Sequence, residues 1–175
     1  MKSQIEQLHE HLFSEQETQV YAILDGAAIP NLLPSLEANE AEYLCLYRGE
    51  LDPELAATAP YLVVLKPKTA LTKWVLSGFG QHWGIFAVTS SNMRDMRKHF
   101  RKFLMVYDLD GKPLYFRYYD PRVLRIYLPT CNSEETQMVF GPVMAYFLEG
   151  EEDTSLLRFV ATNEKPLSKM IKINA

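Results

Sequence analysis

The sequence predicts one mixed α/β domain, a β-sheet flanked by helices with antiparallel hairpins in its C-terminal half. Three observations predict it. Short apolar runs (YAIL, YLVVL, WGIFAV) alternate with helix-like segments as far as residue 104, the order expected when helices cover a sheet. Beyond that point, Asp110-Gly111 and the acidic turn 149–153 each separate two β-rich runs, which predicts two hairpins. The 175 residues are 47% hydrophobic and 23% charged, enough for one real core and far from the composition of a disordered chain. The domain is expected over residues 1–162, with a polar, fraying tail over 163–175.

In order along the chain, Ser3 caps a helix over 4–13, where Ile5, Leu8, Leu12 and Phe13 share a face. A strand over 19–24 ends at Asp25-Gly26. A short helix over 29–36 is limited by Pro30 and Pro34, and a second strand covers 42–47. Asp52-Pro53 opens a helix, with Asp as cap and Pro in the first turn. The run 61–65 is unbroken in its apolarity and reads as a strand buried on both faces. Thr69 caps a helix through 76 that Gly78 ends, and a strand follows over 83–88. Ser90 or Ser91 caps a helix over 92–104 with Met93, Met96, Phe100, Phe103 and Leu104 as its apolar stripe. The runs 105–109 and 114–119 form the first hairpin, and Asp120 caps a helix over 121–127. Ser133, with Glu134 and Glu135, starts a helix ending near Gly141-Pro142, and runs 143–148 and 155–161 make the second hairpin.

Several function classes find no support. Net charge is −4, against the basic surplus of most nucleic-acid binders. Residues 74–93 lack Asp, Glu, Lys and Arg, but Gln81, His82, Asn92 and three glycines make a poor membrane span. The N-terminus lacks the apolar stretch of a signal peptide. Cys45 and Cys131 make neither a disulfide framework nor a zinc site. There is no G-x-S-x-G elbow, phosphate loop or HExxH, and Gly78-Phe79-Gly80 is a turn rather than a nucleotide motif. No catalytic residue, metal or cofactor is assigned. The alternative is a small-molecule-binding domain or enzyme using His82, His99 and Asp120, which requires those groups to converge in one pocket.

Two features rise above background. Residues 94–102 (RDMRKHFRK) carry five basic residues, Arg94, Arg97, Lys98, Arg101 and Lys102, against Asp95 alone. Arg94, Lys98 and Arg101 share one helix face, which reads either as a solvated face or as a docking site for an acidic protein surface. The second is FRYYDPRVL (116–124), a strand running into an Asp-Pro helix start. Asp120 caps, Pro121 sits in the first turn, and Arg117 and Arg122 neutralise Asp120. Strand alternation would place Tyr115, Arg117 and Tyr119 on one face and Phe116 and Tyr118 on the other, one for the core and one for contact.

In this order, YAILDGA (21–27), APYLVVL (59–65), WGIFAVTS (83–90), MRKHFRKFL (96–104), FRYYDPRVL (116–124) and FGPV (140–143) resemble the type VI secretion effector adaptors, or effector chaperones. The resemblance covers about residues 19–161 and rests on the ordered set, above all the basic helix followed by the Asp-Pro-Arg corner. It implies a non-enzymatic cytoplasmic protein that binds a cognate secreted toxic effector and helps load it onto the VgrG spike protein. It implies no nucleic-acid or membrane partner. Within it, Arg94, Arg97, Lys98, Arg101, Tyr115, Arg117 and Tyr119 are the expected contact residues. Trp83, His99, Asp120, Pro121 and Arg122 are the expected structural motif. Many members of that family continue past the shared region, whereas this sequence ends at Ala175.

Overall fold

A computed structural model describes residues 2–174. The elements run α1 (Gln4–Leu12), β1 (Gln19–Asp25), α2 (Leu32–Ala38), β2 (Tyr43–Cys45), α3 (Pro53–Thr58), β3 (Pro60–Leu65), α4 (Ala70–Ser77) and β4 (Gly84–Thr89). They continue α5 (Met93–Arg101), β5 (Met105–Tyr107), β6 (Pro113–Tyr115), α6 (Pro121–Tyr127), α7 (Ser133–Phe140), β7 (Ala145–Glu149), β8 (Ser155–Val160) and β9 (Leu167–Lys172). Seven strands form one sheet in the order β2-β3-β1-β4-β7-β8-β9. The predicted mixed α/β single domain is what is found, and its sheet is antiparallel at every pairing. A connecting helix sets the layer through which the chain passes; it does not oblige the next strand to run parallel.

The unbroken apolar runs have a direct cause. In β1, Val20, Ala22 and Leu24 face one core while Tyr21 and Ile23 face the other. β3 divides likewise, with Tyr61, Val63 and Leu65 against Leu62 and Val64. Both faces of the central strands are dry, so both sets of alternating side chains are apolar. Helices α1, α2 and α4 cover the first face with Leu8, Leu12, Leu32, Leu36, Val75 and Leu76. Helices α5, α6 and α7 cover the second with Met96, Phe100, Leu124, Val139 and Phe140.

Local chemistry places the helices. Ser3 and Glu6 form a reciprocal capping box at α1, and the Asp52, Thr69 and Asp120 side chains accept from first-turn amides as predicted. Two caps differ. Asn92, rather than Ser90 or Ser91, is the extended residue before the first turn and accepts from the Asp95 amide, while the Ser91 amide donates to the Thr89 hydroxyl. Asn132, rather than Ser133, caps α7 in a box with Glu135. Helix α2 begins beyond Pro30, after Asn31 turns through φ 58°. Gly78 is fixed by a neighbour: a Cβ there would sit 2.1 Å from the Trp83 indole, which in turn lies 5.1 Å from the Trp74 ring.

Two expectations are corrected. The tail does not fray: β9 pairs with all six residues of β8, from Ser155–Lys172 to Val160–Leu167. The Gln7 side chain then clasps the backbone of Asn174 in both directions, at 3.1 Å each. The 105–119 hairpin, in contrast, is not added to the main sheet. β5 and β6 form a separate two-stranded ribbon of three residues each, and regular pairing stops at Tyr115.

Candidate functional site: a basic helix, an apolar ribbon and the groove between them

Helix α5 owes its position to an amphipathic sequence. Met96, His99 and Phe100 are buried, while Arg94, Lys98 and Lys102 point to solvent. Arg97 and Arg101 lie half-buried and reach sideways to the last residue of β2 and the two residues after it. Arg97 Nε donates to the Cys45 carbonyl at 3.3 Å. Arg101 donates to the carbonyls of Leu46 (3.0 Å), Cys45 (3.3 Å) and Tyr47 (2.7 Å). The helix thereby splints segment 45–47, where the chain still bonds β3 through the Leu46 amide and the Pro60 carbonyl at 2.9 Å.

These bonds satisfy donors without cancelling charge, since carbonyls are neutral. Among the described residues no carboxylate forms an ion pair with Arg48, Arg94, Arg97, Lys98 or Arg101. Burial depresses the Arg101 pKa, and repulsion from Arg97 and Arg48 depresses it further, so the three guanidinium groups feel one another.

The β5–β6 ribbon stands beside this cluster. Its turn is built by Asp108, whose carboxylate accepts from the Asp110 and Lys112 amides (3.0 and 2.8 Å), with Gly111 at φ 77°. Both faces are open: Met105, Val106, Tyr107, Leu109, Leu114 and Tyr115 are all exposed, Leu109 completely. Two short strands rarely hold alone in water. Here the base is anchored by Phe103 and Phe116, which pack on Tyr118, and Tyr115 leans on Tyr47 at 6.2 Å between rings. Between ribbon, α5 and α3 lies an open groove of about 640 Å³ lined by Leu46, Leu51, Leu55, Leu104, Tyr107 and Tyr115, with Arg48 and Arg101 at its wall. A cavity of about 350 Å³ between α1 and α4 is smaller.

The Asp-Pro-Arg corner is a separate assembly. Arg122 grips Asp120 bidentately, Nε to Oδ1 at 3.0 Å and Nη2 to Oδ2 at 2.8 Å. Burial raises the Asp120 pKa, but the Arg122 bonds outweigh it and hold the carboxyl below its ordinary value. Arg117, which the sequence suggested would share in this neutralisation, makes no bond to Asp120 and adds only a weaker attraction to it. It bonds instead to Asp25, a carboxylate 1% exposed at the end of β1, and lies 5.9 Å over the Tyr119 ring. Sequence reading missed Asp25 because Asp-Gly after a strand reads as a turn. Tyr119 is corrected as a contact residue: the chain has left the ribbon by then, and both Tyr118 and Tyr119 are buried in the second core. Arg117 and Tyr115 remain exposed, as predicted, although only Tyr115 lies on a strand.

The three groups of the enzymatic alternative have separate partners. His82, at φ 59°, pairs its Nδ1 with the buried Glu149 at 2.7 Å. Burial raises the Glu149 pKa, partly offset by bonds from the Gly80 and His82 amides and the His82 ring. His99 donates from Nε2 to the Val139 carbonyl at 3.0 Å and packs between Phe100 and Phe103. Burial lowers its pKa to about 4, so it stays neutral. None of the three lines the groove. Among the described residues no cluster of His, Cys, Asp and Glu has the makings of a metal site, and no helix is long and apolar enough to cross a membrane.

An antiparallel sheet sandwiched by helices, with a side ribbon and no metal-ligand cluster among its described residues, thus defines the chain structurally. It belongs to the DUF4123 family, a domain of unknown function, whose family model matches residues 20–138. That span runs from β1 into α7 and includes α5, the ribbon and the corner. No curated protein and no solved structure matches the chain.

Proposed function

We propose that this chain is a non-enzymatic adaptor of a type VI secretion system: it binds a cognate secreted toxic effector in the cytoplasm and presents it to the VgrG spike protein. Membership of DUF4123, a family associated with effector adaptors of these systems, supports the reading. So does the ordered set of motifs from YAILDGA to FGPV. The single observation that carries it is the exposed apolar ribbon beside an un-neutralised arginine cluster. A soluble fold gains nothing from leaving Tyr107, Leu109, Leu114 and Tyr115 in water, and contiguous exposed apolar surface marks an interaction site. Basic residues beside it speed encounter and fix register with an acidic partner.

The test is affinity capture of the tagged full chain from its native cells, with the recovered proteins identified by mass spectrometry. Recovery of a secreted toxin or of VgrG is expected. Absence of both, above a tag-only control, would overturn the reading. Within such a complex, reversing charge at Arg94 and Lys98 is expected to slow association and weaken its salt dependence. These positions are chosen because both are exposed and neither forms an ion pair.

A further inference from the structure

We infer that the groove between the β5–β6 ribbon, α5 and α3 receives an acidic segment of a partner protein, one whose apolar anchors are flanked by carboxylates. The inference rests on the adaptor reading and gives that reading a surface and a chemistry.

The floor and walls set the first requirement. Leu46, Leu51, Leu55, Leu104, Tyr107 and Tyr115 line about 640 Å³, room for two or three large side chains but open enough to admit them from outside. Exposed tyrosines are good anchors, since they offer area at little cost in rotamer entropy.

Charge sets the second. Arg48 and Arg101 line the groove, and Arg97 stands one turn before Arg101 on α5. Arg101 spends its hydrogen bonds on the neutral carbonyls of residues 45–47. The acids closest in sequence to the groove wall, Glu50, Asp52 and Glu54, form no ion pair with these arginines, and Asp52 is occupied in capping α3. Three mutually repelling guanidinium groups beside apolar surface therefore await negative charge from outside the described chain. A nucleic acid would supply it too. The net charge of −4 and the apolar floor, which has no use for a phosphate backbone, favour a protein segment.

The experiment selects phage-displayed random dodecapeptides on the full chain and measures the best synthetic peptide by fluorescence anisotropy. Enrichment of Asp and Glu around Leu, Phe or Trp is expected, with binding weakened at least about tenfold by Arg48→Glu and by Tyr115→Ser. Both substitutions are at exposed positions, and circular dichroism checks that each variant is folded. Selected peptides without acid bias, or binding indifferent to both substitutions, would overturn the inference. So would a single-stranded DNA oligonucleotide that binds more tightly than any peptide and loses affinity in R48E. If captured effector or VgrG stays bound to the folded R48E and Y115S variants, the groove proposal falls while the adaptor reading stands. If the unaltered chain captures neither, the adaptor reading falls by itself.

Discussion

His99 shows how a single buried group writes a pH dependence into the fold. It is neutral in the folded chain, with a pKa near 4 against an ordinary 6.5. The unfolded chain therefore takes up a proton that the native state refuses. Stability is complete above about pH 6.5 and declines as pH falls towards 4, by about 3 kcal/mol from this residue. Glu149, with its raised pKa, opposes the trend at the acid end. Urea midpoints measured across that interval should drop with pH in the native sequence and flatten in His99→Gln. Gly141 belongs to the same spot. It sits at φ 46°, and a Cβ would come within 2.7 Å of the His99 ring, so Gly141→Ala is expected to cost about 1–3 kcal/mol in a denaturant melt. Arginines 117 and 122 look equivalent in sequence and are not. Arg117→Ala strands a carboxylate that is 1% exposed and should destabilise by about 2 kcal/mol, reduced from a fully buried pair because the guanidinium is half in water. Arg117→Lys restores charge but not the planar fork and should recover only part of it.

At the level of elements, what was legible depended on whether the cause was local. Caps at Ser3, Asp52, Thr69 and Asp120 were readable because a side chain bonds an amide two or three residues away. The double-faced burial of β3 was readable from YLVVL alone. β9 was not, because an edge strand is mostly wet: Leu167, Ser168, Lys169 and Met170 are exposed, and its pairing depends on β8 rather than on its own composition. Its lysines also discourage pairing with another chain. Removing residues 163–175 should expose the β8 edge, lower the melting temperature and speed amide exchange along β8 first, while β1 and β3 stay protected. The ribbon was legible as a hairpin but not as a detached one. Its aromatic-rich sequence resembles a strand packed on a sheet, and only tertiary context shows that TyrTyr at 118–119 belongs to the core and Tyr115 to the surface.

For the whole molecule, the sheet and its two helical layers bury most of the large apolar residues, and half of the exposed ones among the described residues lie on one ribbon. The basic helix was visible in sequence as a charge pattern. The groove was not, because it joins Leu46 and Leu55 to Leu104 and Tyr115, residues far apart in the chain with no shared spacing. The division of labour along α5 was equally hidden: Arg97 and Arg101 brace the sheet edge, whereas Arg94 and Lys98 are at liberty. Charge reversal at Arg101 should therefore lower the melting temperature, and reversal at Arg94 and Lys98 should leave it unchanged.

The handshake of Gln7 with Asn174 brings positions 167 residues apart into contact. The beginning and end of the fold are consequently neighbours, so a short linker can close the chain into a loop. New termini opened at the ribbon tip, beside fully exposed Leu109, would then sever the proposed grip while sparing the sandwich. Such a permutant should fold as well as its parent and differ from it only in the company it keeps.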